Sequence, residues 1–202
     1  MKRAAATGTN EATLVILAGG RSSRMGSPKA ELPVEGQTLL EWMVRGLAPA
    51  FAETLVCGAS APPGARGVAD RHPLAGPLAG IESGLTAMRT SYAFVLACDI
   101  PGATPRLAAL LLDRVLGHDA AVPLIGLRAQ PVCAAYRKGV APAISSYLDA
   151  GGRRLSGLIE QLKIAYVDED ELTSAGIAGQ ELADLDVPAD YDAFIRRHRA
   201  PA

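Results

Sequence analysis

Leu14–Lys29 reads LVILAGGRSSRMGSPK. Four apolar residues (Leu14, Val15, Ile16, Leu17) stop at Ala18-Gly19-Gly20, and small polar residues, two arginines and Lys29 follow. This is the pattern of a buried strand ending in a loop that wraps a polyanion. Glycine reaches positive φ without penalty and lets backbone N–H groups approach a ligand. A run of such N–H groups forms an anion-binding nest. Arg21, Arg24 and Lys29 add charge neutralisation. The spacing is neither the GxxxxGK[ST] of a P-loop nor the GxGxxG of a dinucleotide fold.

The totals narrow the setting for this loop. The chain has 202 residues, 49% of them hydrophobic and 20% charged, which suits one well-cored globular domain. A formal net charge of −1 excludes a global basic field for nucleic acid or a membrane surface, so cations at a ligand act locally. Cys57, Cys98 and Cys133 are far apart with no CxxC spacing, which speaks against a zinc site or a disulfide framework. Reduced thiols point to a cytoplasmic compartment. The opening MKRAAATGTNEAT lacks the apolar core of a signal peptide, and no apolar run is long enough to span a bilayer.

Alternating elements then predict the fold. Residues 1–12 read as a flexible tail, and residues 13–198 as one domain. Continuous apolar runs at Thr13–Leu17, Thr54–Cys57 and Tyr92–Ala97 predict central strands buried on both faces. Gly67–Asp70, Ala120–Pro123, Pro131–Tyr136 and Ile164–Val167 are further strand candidates, and Leu182–Asp186 a short extended piece. Helical spacing predicts helices at Thr38–Leu47, Ile81–Arg89, Lys138–Ala150, Arg154–Leu162 and Ala189–Arg197. Thr104-Pro105 supplies an N-cap and a first-turn proline for a helix at Arg106–Leu116. This order calls for an α/β domain with a Rossmann-like, doubly wound, mainly parallel sheet and right-handed crossovers.

In such sheets ligands bind outside the carboxyl ends of the strands. The first strand ends in the glycine loop and the Tyr92 strand ends at Cys98-Asp99-Ile100-Pro101. A carboxylate there suits Mg²⁺, which takes one or two carboxylates plus phosphates and waters. Asp99 otherwise serves the turn before Pro101. Cys98 reads as a small buried filler. Between them runs Asp70-Arg71-His72-Pro73-Leu74-Ala75-Gly76-Pro77-Leu78-Ala79-Gly80, a loop stiffened by proline and glycine. His72 shows no partner and reads as a surface residue. Adjacent Arg153 and Arg154 follow Gly151-Gly152 and have the chemistry to grip a second anion by bidentate bonds.

LAGGRSSRMGSPK closely resembles the LAGGxSxRMGxxK signature of the MobA-type nucleotidyltransferases, the molybdenum cofactor guanylyltransferases. The resemblance continues in Ala75–Ile81 (AGPLAGI), Cys98–Pro101 (CDIP), Gln130–Arg137 (QPVCAAYR) and Tyr147–Leu155 (YLDAGGRRL), in order, across nearly the whole chain. Cytidylyl- and uridylyltransferases share the signature; the GPLAG loop with AGxRR narrows it to the guanylyl branch.

That resemblance implies transfer of GMP from GTP to the terminal phosphate of molybdopterin or its molybdenum-loaded form, with pyrophosphate released. It implies that Leu17, Ala18 and Gly19 receive the nucleotide and that Gly20, Arg24 and Lys29 cradle its triphosphate. Lys29, Arg24 and Asp99 would then be the catalytic residues and Asp99 a Mg²⁺ ligand. Asp70 would contact the nucleotide, and Gly76 and Gly80 would open the backbone to base or ribose. Arg153 and Arg154 would hold the acceptor phosphate. Molybdoenzyme maturation proteins would be the protein partners. A CTP-dependent sister enzyme, or a non-catalytic pterin carrier, is the alternative.

Two positions depart from the family pattern. Cys57-Gly58 stands where an asparagine is usual, leaving only the Gly58 backbone to serve. Asp184-Leu185-Asp186 replaces a pair of amides, NxNTP in the family. Two acids beside a triphosphate call for a cation between them. Asp186 or Asp184 is then a second Mg²⁺ ligand opposite Asp99, or the pair caps the last helix.

Overall fold

The computed structural model of the chain describes residues 8–19, 28–73 and 75–198. Gly20, Arg21 and Arg24 of the glycine loop lie outside the described residues. Ten strands and seven α-helices are described: β1 Thr13–Leu17, β2 Pro33–Val34, β3 Gln37–Thr38, α1 Leu39–Leu47, β4 Glu53–Cys57, β5 Arg66–Val68, α2 Pro77–Ala87, β6 Tyr92–Ala97, α3 Pro105–Arg114, β7 Ala120–Ile125, β8 Arg128–Ala129, β9 Cys133–Arg137, α4 Ala141–Asp149, α5 Leu155–Ile159, β10 Ile164–Val167, α6 Glu169–Ser174 and α7 Pro188–His198.

The main sheet has the order β10-β7-β9-β6-β1-β4-β5, with β8 paired on β7. β1 is parallel to both β4 and β6, while β9 enters antiparallel between β6 and β7. The sheet is therefore mixed but mainly parallel. All five residues of β1 are buried, because each of its two faces is covered. Leu14 and Ile16 point to one layer, with Phe94, Leu96, Met43, Leu107 and Phe194. Val15 and Leu17 point to the other, with Val95, Leu78, Ile81, Leu85 and Ile144. Period-2 alternation between two apolar layers is what makes such strands read as unbroken hydrophobic runs. Each residue of this size buried on folding contributes roughly 1.5–3 kcal/mol before entropy is counted, so the crossed layers fix the frame on which the strand ends rest.

Caps set the helix starts. Thr38 forms a capping box at α1: its Oγ1 accepts from Glu41 N–H at 3.2 Å while Glu41 Oε2 accepts from Thr38 N–H at 2.7 Å. Thr104 Oγ1 accepts from Leu107 N–H at 3.2 Å with Pro105 in the first turn of α3. α2 begins four residues before the Ile81 read from hydrophobic spacing. Gly76 (φ 67°, ψ −151°) breaks the chain into it, and Pro77 occupies its first turn. The Lys138–Ala150 stretch is split into a 3-10 turn, Lys138–Val140, and α4. Within the stretch read as an N-terminal tail, Thr9–Glu11 form a 3-10 turn and Ala12 is fully buried. α6 lacks a hydrophobic stripe and escapes the periodicity; Asp168 caps it through Glu171 N–H at 2.9 Å. No helix among the described residues is long and apolar enough to cross a membrane.

Candidate active site

From β1 the chain turns to β4 and β5 on one side and then crosses back to β6 on the other. The carboxyl ends of β1 and β6 thus flank a topological switch point, the place where open α/β sheets bind ligands. Leu17 is in register with Ala97, and its carbonyl accepts from Cys98 N–H at 3.0 Å. On the opposite side Ala18 N–H donates to the Cys57 carbonyl at 2.8 Å. Leu17 and Ala18 therefore root the glycine loop in the sheet, and Gly19 is the first exposed residue.

The departure at Gly58 has a steric reason. Gly58 has φ +87°, and a Cβ placed on it would lie 2.5 Å from Gly19 Cα and 2.6 Å from Gly19 N. Two backbones pass here with nothing between them, so no side chain fits at this position. Beyond it, a cavity of about 410 Å³ lies between the loops that follow β4 and β5, lined by Gly58, Ser60, Gly67, Val68 and Asp70. Asp70 Oδ1 is buried with no hydrogen-bond partner among the described residues, and burial raises the carboxyl above its usual range. An unmatched buried acceptor is costly, and a ligand donor would satisfy it.

Lys29 opens a 3-10 turn, Lys29–Glu31, that the buried Ala30 anchors in the core. Its ammonium donates to Asp99 Oδ2 at 3.0 Å and to Asp186 Oδ1 at 3.3 Å. The side chain is only 15% exposed. That burial alone would lower its pKa, but Asp99 and then Asp186 outweigh it and hold the ammonium above its ordinary value. Asp99 Oδ1 is buried and unpaired among the described residues.

Residues 184–186 are delivered by a strap that precedes α7. Leu185 is buried at 3% exposure, and its N–H donates to the Asp99 carbonyl at 2.8 Å. That anchor turns its acidic neighbours towards Lys29. Asp184 keeps an exposed surface, yet enclosure of its carboxyl, followed by the charges of Asp99 and Asp186, pushes its pKa up; Lys29 and Arg128 pull the other way. Capping of the last helix falls to another residue: Asp190 Oδ2 accepts from the N–H groups of Asp186 and Val187, both at 3.0 Å. The expectation that the Asp184–Asp186 pair caps α7 is corrected accordingly. Tyr191 O–H donates to the Pro33 carbonyl, tying α7 to the β2–β3 ribbon.

Among the described residues no group of three His, Cys, Asp or Glu side chains forms a ready-made metal centre. The residues nevertheless fit a hard divalent cation. Asp99 offers a bare buried oxygen, and one ammonium already bridges Asp99 and Asp186 as a cation would. Mg²⁺ characteristically takes one or two carboxylates and leaves its other positions to phosphates and water.

Other sequence expectations land elsewhere. Gly76 is exposed at the N-terminus of α2 with open space where a Cβ would be. Gly80 is buried inside α2, where a Cβ would lie 2.8 Å from Leu17 Cδ2, so its visible part is to let the helix press against β1. Arg153 donates from one guanidinium nitrogen to the carbonyls of Leu148 (2.9 Å) and Gly152 (2.7 Å), closing the end of α4. Arg154 precedes α5 with its side chain exposed, and its carbonyl accepts from Tyr147 O–H at 3.1 Å. Tyr147 lies flat against Gly152 and Gly157, where any Cβ would come within 2.4 Å of its ring or hydroxyl. α4 ends at the same edge of the sheet as β1 and β6, as the approach of His72 Nε2 to Asp149 Oδ1 at 4.0 Å shows. His72, read as a surface residue, approaches Asp149, which makes an ion pair only when the imidazole is protonated. The three cysteines are all free and buried, and burial pushes Cys57 and Cys98 up to about 12.

Residues 14–165 match the MobA-like NTP transferase domain. The chain is 35% identical over 181 residues to a probable molybdenum cofactor guanylyltransferase of Pelotomaculum thermopropionicum, covering 88% of this chain and 85% of that one. A protein of the same name from Chloroflexus aggregans is 39% identical over 158 residues, 73% of this chain and 76% of that one. Among solved structures, molybdopterin-guanine dinucleotide biosynthesis protein A of Archaeoglobus fulgidus superposes with a TM-score of 0.81 at 22% identity, covering 92% of this chain and 97% of that one. The 2-C-methyl-D-erythritol 4-phosphate cytidylyltransferase of Thermus thermophilus superposes at 0.71 with 20% identity, covering 94% and 100%. The last two establish a shared fold.

Proposed function

The chain belongs to the MobA-like NTP transferase family, and from that membership we propose that it transfers GMP from GTP to the terminal phosphate of molybdopterin or its molybdenum-loaded form. The observation that carries this reading is the meeting of Lys29, Asp99 and Asp186 at the switch point of the sheet. An acceptor phosphate oxygen attacks the α-phosphorus of GTP. The new P–O bond forms as the bond from that phosphorus to the oxygen bridging the β-phosphate breaks, and pyrophosphate departs with the electron pair. The acceptor oxygen is already anionic, so no strong general base is needed; the chain has three histidines and none stands at this site.

What the protein supplies is position and charge neutralisation. Lys29, kept protonated by its carboxylate neighbours, moves from those acids to the phosphates as the triphosphate enters, and Gly19 presents backbone to it. Gly20 and Arg24 complete the cradle by family resemblance. Asp99, with Asp186, would hold Mg²⁺. When bound, that ion supplies neutralisation of charge building on the pyrophosphate. Asp70, with its unmatched acceptor beside the cavity of about 410 Å³, takes a hydrogen bond from the nucleoside. Gly76, at the start of α2, leaves its backbone open to the ligand. Arg154, whose guanidinium is not tied into the α4 terminus as that of Arg153 is, grips the acceptor phosphate; Arg153 shapes the turn that presents it. The product then passes to the maturation of a molybdoenzyme in the cytoplasm.

Thermal stabilisation by GTP, CTP, UTP and ATP, each with and without Mg²⁺, tests the reading. A ligand at a hundred times its Kd adds about 2.7 kcal/mol. GTP with Mg²⁺ is expected to give the largest shift, and equal shifts from all four nucleotides would count against guanine recognition.

A further inference from the structure

Glu82 lies in the second turn of α2, the one charged residue of that helix, and is fully buried. A charge taken wholly out of water costs several kcal/mol unless it is paired and hydrogen-bonded, and here the partners come from three places. Oε1 accepts from Arg71 at 2.7 Å, from Ser145 Oγ of α4 at 2.6 Å and from Thr86 Oγ1 at 3.3 Å. Oε2 faces Ser83 Oγ at 3.4 Å, and that same hydroxyl accepts from Arg71 N–H at 3.0 Å. Arg71 is therefore held twice, by side chain and by backbone, in the residue directly after Asp70.

The partners are far apart in sequence and close to both halves of the proposed site. Arg71 begins the loop that runs to Gly76 and the start of α2. Ser145 sits on the helix whose end carries Gly151-Gly152-Arg153-Arg154. The same two segments also approach at the surface, where His72 Nε2 stands 4.0 Å from Asp149 Oδ1, an ion pair when the imidazole is protonated. Helix α2 packs on α4 between these contacts through Leu85, Ile144 and Leu148, all in one apolar layer.

We infer that Glu82 is a positioning residue that clamps the nucleotide-side loop to α4, so that the nucleotide pocket and the acceptor-binding turn are held in one fixed relation. This rests on the reading of Asp70 as a nucleotide contact and of the Arg153–Arg154 turn as the acceptor side. In-line displacement is sensitive to how the two substrates are placed relative to each other, and a misplacement of about 1 Å costs about 10²-fold in rate. A buried carboxylate with partners on both segments sets that relation more firmly than apolar packing, which slides without leaving an unmatched group.

Three variants of the full-length protein, Glu82→Gln, Arg71→Ala and Ser145→Ala, test this with two readouts: GTP affinity by calorimetry and backbone amide hydrogen exchange. Each variant is expected to weaken GTP binding about tenfold. Exchange is expected to speed up together in Ala75–Gly80 and in Ser145–Arg154, with β1 and β6 amides unchanged. Faster exchange confined to α2, or GTP affinity within twofold of the parent in all three, would overturn the clamp. If Glu82→Gln or Arg71→Ala does not fold, Ser145→Ala carries the comparison, since it removes one hydroxyl and leaves the Arg71–Glu82 ion pair in place. A parent protein that binds no GTP would refute the functional reading, whereas the exchange pattern judges the clamp independently.

Discussion

The N–H of Leu185 donates to the carbonyl of Asp99 at 2.8 Å, joining residues 86 positions apart in the chain. This bond seats the strap before α7 on the end of β6 and brings Asp184 and Asp186 to Lys29. It requires Leu185 to fill its pocket in the core. Leu185→Ala is expected to lower stability by about 2–5 kcal/mol, read as a drop in the denaturant midpoint. It should also raise the Mg²⁺ concentration needed for half-maximal turnover, because the acids lose their fixed placement.

Asp186 is 59% exposed on its side chain, so its ion pair with Lys29 stabilises the fold little. On the proposed reading its contribution is to a bound cation. Asp186→Asn is expected to leave the melting temperature nearly unchanged and to shift the Mg²⁺ dependence of turnover to higher concentration. Asp99→Asn should remove that turnover. Equal Mg²⁺ titrations for Asp186→Asn and the parent would place Asp186 outside the cation site.

Gly58→Ala tests the close passage of two backbones beside the glycine loop. Its Cβ would meet Gly19 at 2.5 Å in a residue of φ +87°, a combination of clash and left-handed strain. Gly36, at φ +80° with nothing within 4 Å, is the control that carries the strain alone. Gly36→Ala is expected to cost about 1–2 kcal/mol. Gly58→Ala should cost clearly more in thermal unfolding and should weaken nucleotide binding, since Gly19 must move.

The carboxyls of Asp70 and Asp184 are raised above 3.8, chiefly by burial. A carboxyl whose folded pKa lies above its unfolded value holds its proton more tightly when folded. Stability of the ligand-free protein therefore falls as pH rises from about 3.8 through the raised values. Asp184→Asn and Asp70→Asn are each expected to flatten that part of the pH–stability curve and to raise stability at pH 7. Urea unfolding across pH 4–7 reads this out.

Much of the frame was legible from residues alone, for a physical reason. β1 and β6 are legible with their observed ends because strands covered on both faces leave unbroken apolar runs; β10 is legible too, although as an edge strand it leaves Tyr166 exposed. Thr104-Pro105 marked α3 because a cap and a first-turn proline are local chemistry. The start of α2 was equally local, since Gly76-Pro77 carries the same signal, but the hydrophobic spacing from Ile81 drew the reading downstream. The antiparallel entry of β9 between β6 and β7 leaves no mark in the order of elements.

The site was legible in part. Asp99 and Lys29 stood out as a strand-end acid and a loop cation, and they meet. Asp186 is a candidate in the sequence, and the structure brings it to Lys29 across 157 residues, while Asp190 does the capping. Glu82 and Tyr147 were not singled out. Glu82 could have been, as the one charged residue of α2; its partner Ser145 is 63 residues away. Tyr147 acts through contacts with Gly152 and Gly157 that no spacing rule encodes.

The central claim is that Lys29 and the carboxylates around it serve guanylyl transfer to a pterin phosphate. Its most direct test is pyrophosphate release with molybdopterin as acceptor, comparing GTP with CTP, with and without Mg²⁺, for the parent and for Lys29→Ala. The account predicts release that requires acceptor and Mg²⁺, favours GTP over CTP, and falls about 10²–10³-fold in Lys29→Ala. Equal use of CTP, or a Lys29→Ala variant that turns over at the parent rate, would contradict it.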